Sequence, residues 1–387
     1  MEETGVKTNR SISQKILGLG LTLFFMSSAQ LALAEAIKFN ANVFYEKAVP
    51  MSGVGYGEWA EILKRESNGA LEAKVFYGGV LAPPNASLTA VSDGVAEVGH
   101  IPAMYTPSDL PVSNLLHELS ANFTDSLAIM AALTEYNFTN KELQDQYKKW
   151  NLFFAGAYST PEYRIFCKEK VTTLDEMKGK KIRTLGAGSA LLVEQMGGIP
   201  VNVPSSEMYS GLEKGILDCA ANAVSDLKAR SLWDVSQHTT LISLGIFYVG
   251  PQWGVRTSLW EKMDVPARKA FLKSCALSMP RIYQEYKASN ETVMREAADH
   301  GVTFHEPSQE MSDLIKEFEV NNIQRAIAVG KEKGMVADPE KFIGDFLNLY
   351  EKWVKLLADV DRDNSEAVAA ILMTEIYDKV DVSTYPN

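Results

Sequence analysis

Cysteine and histidine are both scarce in this chain, with three of the first and five of the second among 387 residues. Cys167, Cys219 and Cys275 form no CxxC pair and cannot all pair with one another, so at most one disulfide forms and none is required. The histidines, His100, His117, His238, His300 and His305, show no HExxH spacing, which removes zinc chemistry. His300 and His305 fall in a polar stretch that reads as surface. A G-x-S-x-G elbow and a phosphate loop are also missing. Gly186-Ala187-Gly188 could open a dinucleotide loop, but Leu191 stands where the third glycine belongs, leaving an ordinary strand-to-helix turn. Asp359-Val360-Asp361-Arg362-Asp363 has the charge of a calcium loop. Asn364 replaces its turn glycine and Ala370 its bidentate glutamate, so the run reads as a solvated acidic turn. No enzyme, metal or cofactor is implied. The four N-x-[ST] triplets at Asn85, Asn122, Asn137 and Asn290 read as chance matches.

Positive charge is in deficit as well. A net charge of -11 repels phosphate backbones and anionic lipid, which disfavours nucleic-acid and membrane-surface partners. A small anion stays admissible, because one buried arginine sets the local potential. Long apolar runs are lacking too: Ile16 to Met26 is too short to span a bilayer. With Lys7, Arg10 and Lys15 before it and Ala32-Leu33-Ala34 after it, this run predicts an export signal over residues 1–34 and a mature chain starting near Glu35 in the periplasm. No cysteine near that site offers a lipid anchor.

About 350 residues follow, more than one core usually organises, so two domains are expected. Short apolar runs alternate with helical patterns, the mark of an α/β protein. Strands are predicted at Ile37–Val43, Ala73–Phe76, Val98–Ile101, Arg164–Cys167, Lys181–Thr184, Pro200–Val203 and Ile216–Cys219. Helices are predicted at Ser52–Glu66, Leu88–Val91, from Leu174 behind a threonine cap, Ser189–Met196, and Glu207–Leu212. Beyond Pro266 the chain reads as mainly helical, with Met311, Leu314, Ile315 and Phe318 on one face and Phe342, Phe346, Leu349, Tyr350 and Trp353 on another.

The informative block runs from Leu174 to Asn222. Leu174-Asp175-Glu176-Met177-Lys178-Gly179-Lys180-Lys181-Ile182-Arg183, then Gly197-Gly198-Ile199-Pro200, then Glu207 through Asp218 resembles the substrate-binding proteins of tripartite ATP-independent periplasmic (TRAP) transporters. Gly69 to Phe76 and Val91 to Val98 fit the same family's N-terminal signatures, so the resemblance covers essentially the whole mature chain. It implies two α/β domains in a clamshell, each with a mixed sheet, joined by crossing strands and by long helices spanning both. The first domain is expected over 35–160 plus about 250–290, the second over 161–249 plus about 291–387. The resemblance further implies a monomer that hands a small organic acid to TRAP-type membrane subunits.

The resemblance makes Arg183 the clamp for the ligand's acid group. Its place at the end of a strand suits that role, since ligands of open α/β sheets sit beyond the carboxyl ends of strands and a guanidinium matches a carboxylate or sulfonate with a planar fork. An arginine so placed serves the cleft and not the core. Asn222 and Asn42 match ligand-contacting positions, although Cys219-Ala220-Ala221 departs from the usual residues before Asn222. Asp218 reads as structural. Tyr163 and Ser205 stand where sialic-acid-binding members carry arginine and phenylalanine, which argues against that ligand. Tyr105 follows the third expected strand, Tyr158 and Tyr163 flank the expected crossing between domains, Phe247 and Trp253 flank the return crossing, and all five are candidate aromatic walls. The alternatives are the binding protein of an ATP-driven transporter, which lacks the Arg183-to-Asp218 pattern, and a periplasmic hydrolase, which would need a nucleophile and base not found here.

Overall fold

Alternation of β-branched and aromatic residues with helical stripes produces thirteen strands among residues 35–386, which the computed structural model describes. The expected signal at 1–34 and its cleavage site lie outside the described residues. Five strands form one sheet in the order β2 (Leu71–Phe76), β1 (Ile37–Asn42), β3 (Val98–Gly99), β12 (Gly254–Arg256), β4 (Leu152–Phe154). The first three run parallel, while β12 is antiparallel to both of its neighbours. A second sheet has the order β13 (Thr303–His305), β10 (His238–Thr240), β6 (Arg164–Cys167), β9 (Cys219–Asn222), β7 (Lys181–Thr184), β8 (Ile199–Asn202). It too is mixed, with β6 antiparallel to β9 and β10, and β7 parallel to β8 and β9.

The two sheets are joined by a third, two-stranded one: β5 (Ser159–Glu162) and β11 (Ile246–Tyr248) run antiparallel and carry the chain across and back. Two side-chain bonds hold this crossing, Tyr158 Oη to the Val249 carbonyl at 2.8 Å and the Phe247 amide to Thr160 Oγ1 at 3.1 Å. A 32-residue helix, Val265–Glu296, runs alongside. Phe271 packs on Phe39 and Trp59 of the first domain, and Val293, near the helix's other end, joins Phe166 and Ala220 of the second sheet. Within 291–387, expected with the second domain together with domain-spanning helices, the elements divide between neighbours. β13 joins the second sheet, but the Pro339–Leu356 helix packs on Ser126–Thr139 and the Ser365–Glu375 helix on Val265–Glu296, because their apolar faces complete the first domain's core.

Local departures from the sequence reading have local causes. The helix expected over Ser52–Glu66 passes through a π-helical stretch, Gly53–Glu58, where Gly55 lies so close to the Gln252 side chain that a Cβ would stand 2.2 Å from Nε2. The strand expected at Ile216–Cys219 begins only at Cys219. Gly215 turns with φ +69°, Ile216 is exposed, and Asp218 Oδ2 accepts the Lys181 amide at 2.8 Å, so this segment is a tethered turn and regular pairing starts after it. His305 is half-buried instead of on the surface, with Nε2 3.0 Å from His238 Nδ1. Asn364 caps the Ser365–Glu375 helix, accepting the Ala367 amide at 3.1 Å. Cys167 and Cys219 stand opposite each other in the β6–β9 register and form a disulfide, which leaves Cys275 as a free, buried thiol.

Candidate functional site

Arg183 is the third residue of β7, flanked by β9 and β8, and its side chain is wholly buried. Nε donates to the Val203 carbonyl at 3.1 Å and Nη1 to the Ala221 carbonyl at 2.9 Å, while Nη2 is buried with no partner. The guanidinium is therefore locked in its plane by two carbonyls, with its outer edge left free. Both hydrogens of Nη2 and one of Nη1 remain undonated, and a guanidinium grips a carboxylate with two parallel bonds from such hydrogens. Buried donors are almost always satisfied, so an orphan on a fixed cation calls for a partner.

The rest of the site assembles at strand ends. Asn222 ends β9 and pairs in register with Arg164, beside Tyr163. Its Oδ1 accepts the Ala223 amide at 2.9 Å and its Nδ2 lies 3.6 Å from Met208 Sδ, so the side chain is set by local bonds. Asn42 ends β1; its Nδ2 is 3.5 Å from Ser87 Oγ and its Oδ1 is buried without a partner. Tyr105 and Ser205 meet across the cleft, the Ser205 amide donating to Tyr105 Oη at 3.5 Å, while the Ser205 hydroxyl is buried and unpartnered. Tyr163 stacks on Phe247 at 5.8 Å and 16°, and Phe247 reaches Tyr158 at 5.6 Å. Trp253 is not brought to this group. Its indole nitrogen donates to the Gly55 carbonyl at 2.9 Å and its ring packs on Trp59, inside the first domain's core.

Several further groups at the site had no role in the sequence reading. His100 follows β3, with its ring 4.6 Å from Tyr158 and 5.4 Å from both Phe44 and Tyr45. Neither ring nitrogen has a partner in hydrogen-bond geometry, and burial pushes the imidazole down to about 3, opposed by the nearby Gln252 side chain. Asp226 and Arg230 lie one helical turn apart just beyond β9, joined at 3.1 Å, and Arg230 crosses to the first domain, 3.2 Å from Glu46 and over the Tyr45 ring at 4.9 Å. The i,i+4 acid–arginine spacing was the available signal for this pair. An open groove of about 650 Å³ elsewhere is lined by Glu58, Glu61 and Glu285 with Lys47, a balance that suits no acid. Among the described residues, no group of three or more His, Cys, Asp or Glu could hold a metal ion.

The His100 result has a measurable consequence. The folded chain keeps this ring neutral while the unfolded chain takes up a proton below about pH 6.5. Its contribution to stability is therefore complete above pH 6.5 and is lost as pH falls toward 3. Ligand affinity measured by calorimetry between pH 5.5 and 8 is expected to show no titration from this residue; a step near pH 6.5 that disappears in His100→Gln would contradict it.

Residues 49–323 match the family model for bacterial extracellular solute-binding protein, family 7, and the chain belongs to that family of TRAP transporter solute-binding proteins. The C4-dicarboxylate-binding periplasmic protein DctP of Rhodobacter capsulatus is 24% identical over 317 residues, 77% of this chain and 90% of that one. The ectoine-binding periplasmic protein TeaA of Halomonas elongata is 24% identical over 185 residues, 47% of this chain and 54% of that one. Among solved structures, a marine-metagenome TRAP solute-binding protein specific for aromatic acids, in complex with metahydroxyphenylacetate, superposes with a TM-score of 0.72 at 20% identity, covering 82% of this chain and 99% of that one. The Bordetella pertussis receptor DctP7, which binds pyroglutamic acid, gives 0.68 at 16% identity, covering 82% and 100%. The fold is thus the two-domain binding-protein fold, and the family is one of transport, not catalysis. Neither the ATP-driven-transporter alternative nor the hydrolase finds support here.

Proposed function

We propose that the protein is exported to the periplasm, captures a small organic acid with its carboxylate or sulfonate on Arg183, and delivers it as a monomer to TRAP-type membrane subunits. The observation that carries this reading is the wholly buried guanidinium, pinned by the Val203 and Ala221 carbonyls, with Nη2 unpartnered. No acidic side chain forms an ion pair with it among the described residues. A buried cation without a counter-charge is costly, and an incoming anion removes that cost. Tyr105, Tyr158, Tyr163 and Phe247 supply the walls, with Asn42, Asn222 and Ser205 the polar edges. The acids bound by the similar proteins, a C4-dicarboxylate, metahydroxyphenylacetate and pyroglutamic acid, all carry a carboxylate.

A thermal-shift screen of small carboxylates and sulfonates tests the reading. An acid that binds the folded state raises its melting temperature with the logarithm of ligand excess, and the corresponding primary amide does not. Equal shifts by acid and amide, or none by any acid, would overturn the assignment. Export is tested separately: the chain recovered from a bacterial periplasm is expected to begin near Glu35 by mass spectrometry, and retention of Ile16 to Met26 would refute the soluble, cleaved form.

A further inference from the structure

Arg183 is not the only buried polar group at the site with an open valence. Asp226 is 5% exposed, its Oδ2 accepts from Arg230 Nε at 3.1 Å, and its Oδ1 is buried with no partner. The charged groups acting on Asp226 are Arg230, Arg183 and Glu46, and Asp226 in turn acts on Tyr163 and Tyr286. Arg230, which holds Oδ2, lies over the Tyr45 ring at 4.9 Å, Tyr45 is 5.4 Å from His100 and His100 is 4.6 Å from Tyr158, so Asp226 borders the same aromatic walls as the acid site. Burial holds its carboxyl above the usual range, with Arg230 and Arg183 opposing.

The charge balance narrows what can sit between these groups. Two buried guanidiniums, Arg183 and Arg230, face one buried carboxylate, Asp226; Glu46 is more than half exposed. One positive charge is left, on Arg183, and a monoanion closes the balance. A second carboxylate on the ligand would set like charge against Asp226 in a water-poor site, and an ammonium would add a third cation beside Arg230. A neutral N–H or O–H satisfies Oδ1 without disturbing either pair. The unpartnered Asn42 Oδ1 offers a second acceptor of the same kind.

We infer that Asp226 determines specificity, receiving a neutral hydrogen-bond donor of the ligand on Oδ1, so that the site selects monocarboxylates bearing a hydroxyl or ring N–H over donor-free acids and over dicarboxylates. This rests on the proposed function, since it takes the ligand's acid group as bound to Arg183.

Calorimetric titration with matched probes decides it: 3-hydroxybenzoate against benzoate, pyroglutamate against cyclopentanecarboxylate, lactate against propionate, and succinate as the dicarboxylate. In the pair whose size fits, the donor-bearing acid is expected to bind about tenfold to a hundredfold tighter than its partner, and tighter than succinate. In Asp226→Asn, Arg230 keeps the oxygen and the amide turns its NH2 toward the ligand. The donor preference should then fall below about threefold and succinate should gain affinity. Equal binding within each pair, succinate as the tightest ligand, or an unchanged preference in folded Asp226→Asn overturns the inference. If that variant does not fold, the wild-type series alone decides. Acid binding with no donor preference leaves the proposed function standing and removes only this inference; binding of none of the probes removes both.

Discussion

Arg183→Ala is expected to weaken acid binding by about 30-fold to several thousand-fold, the range that corresponds to about 2–5 kcal/mol for truncating one partner of a buried charge pair. Arg183→Lys should recover part of the loss, because an ammonium supplies charge without the two-pronged contact. The structure changes one expectation about these variants. Arg183 satisfies the Val203 and Ala221 carbonyls, so it serves the second domain's interior besides its proposed role in the cleft. Truncation leaves two acceptors short of a donor, at about 1–3 kcal/mol for each that stays buried and dry. Affinity must therefore be measured by titration on variants whose melting curves show a folded population. Near-wild-type affinity in folded Arg183→Ala would remove this residue from the site.

The second large effect concerns Cys167 and Cys219. Their bond closes a 52-residue loop that contains β7, β8 and the start of β9, and so includes Arg183. Opening it by the double alanine substitution is expected to cost about 2–4 kcal/mol of stability. Affinity at a temperature where the protein stays folded should change only a few-fold, since Asn222 is held by the β6–β9 ladder and Arg183 by its carbonyls. Melting curves with and without reductant make the comparison; no shift on reduction of the wild type would refute the stabilising role. A disulfide also fits a chain that matures in an oxidising compartment.

Much of the second sheet was legible from sequence because its signals are local. Thr173 and Glu176 form a reciprocal capping box, β7 and β8 follow short apolar runs, and Arg183 sits inside an ordered motif. The stretch from Met104 to Asn151 was silent for the opposite reason. The Ser126–Thr139 helix is buried on nearly every side by β5, β11 and the Pro339–Leu356 helix, so no apolar stripe at helical spacing stands out. The site was half visible. Asn42 and Tyr163 mark strand ends, whereas Phe44, Tyr45 and His100 come from loops that long-range contacts bring to the second domain, the crossing strands and the reach of Arg230 to Glu46 and Tyr45 among them. Trp253 reads like any wall aromatic in sequence, and only Gly55 and Trp59, far away along the chain, assign it to the core.

The Val265–Glu296 helix is anchored at one end in the first domain and at the other in the second, over a length of about 48 Å. Pro280, at its middle, contributes no amide, so one rung of the hydrogen-bond ladder is missing there. The rod is thus stiff along each half and compliant at one point, like a leaf spring clamped at both ends and thinned at the centre. Any rotation of one sheet against the other would therefore bend the rod at Pro280 before it bent either half.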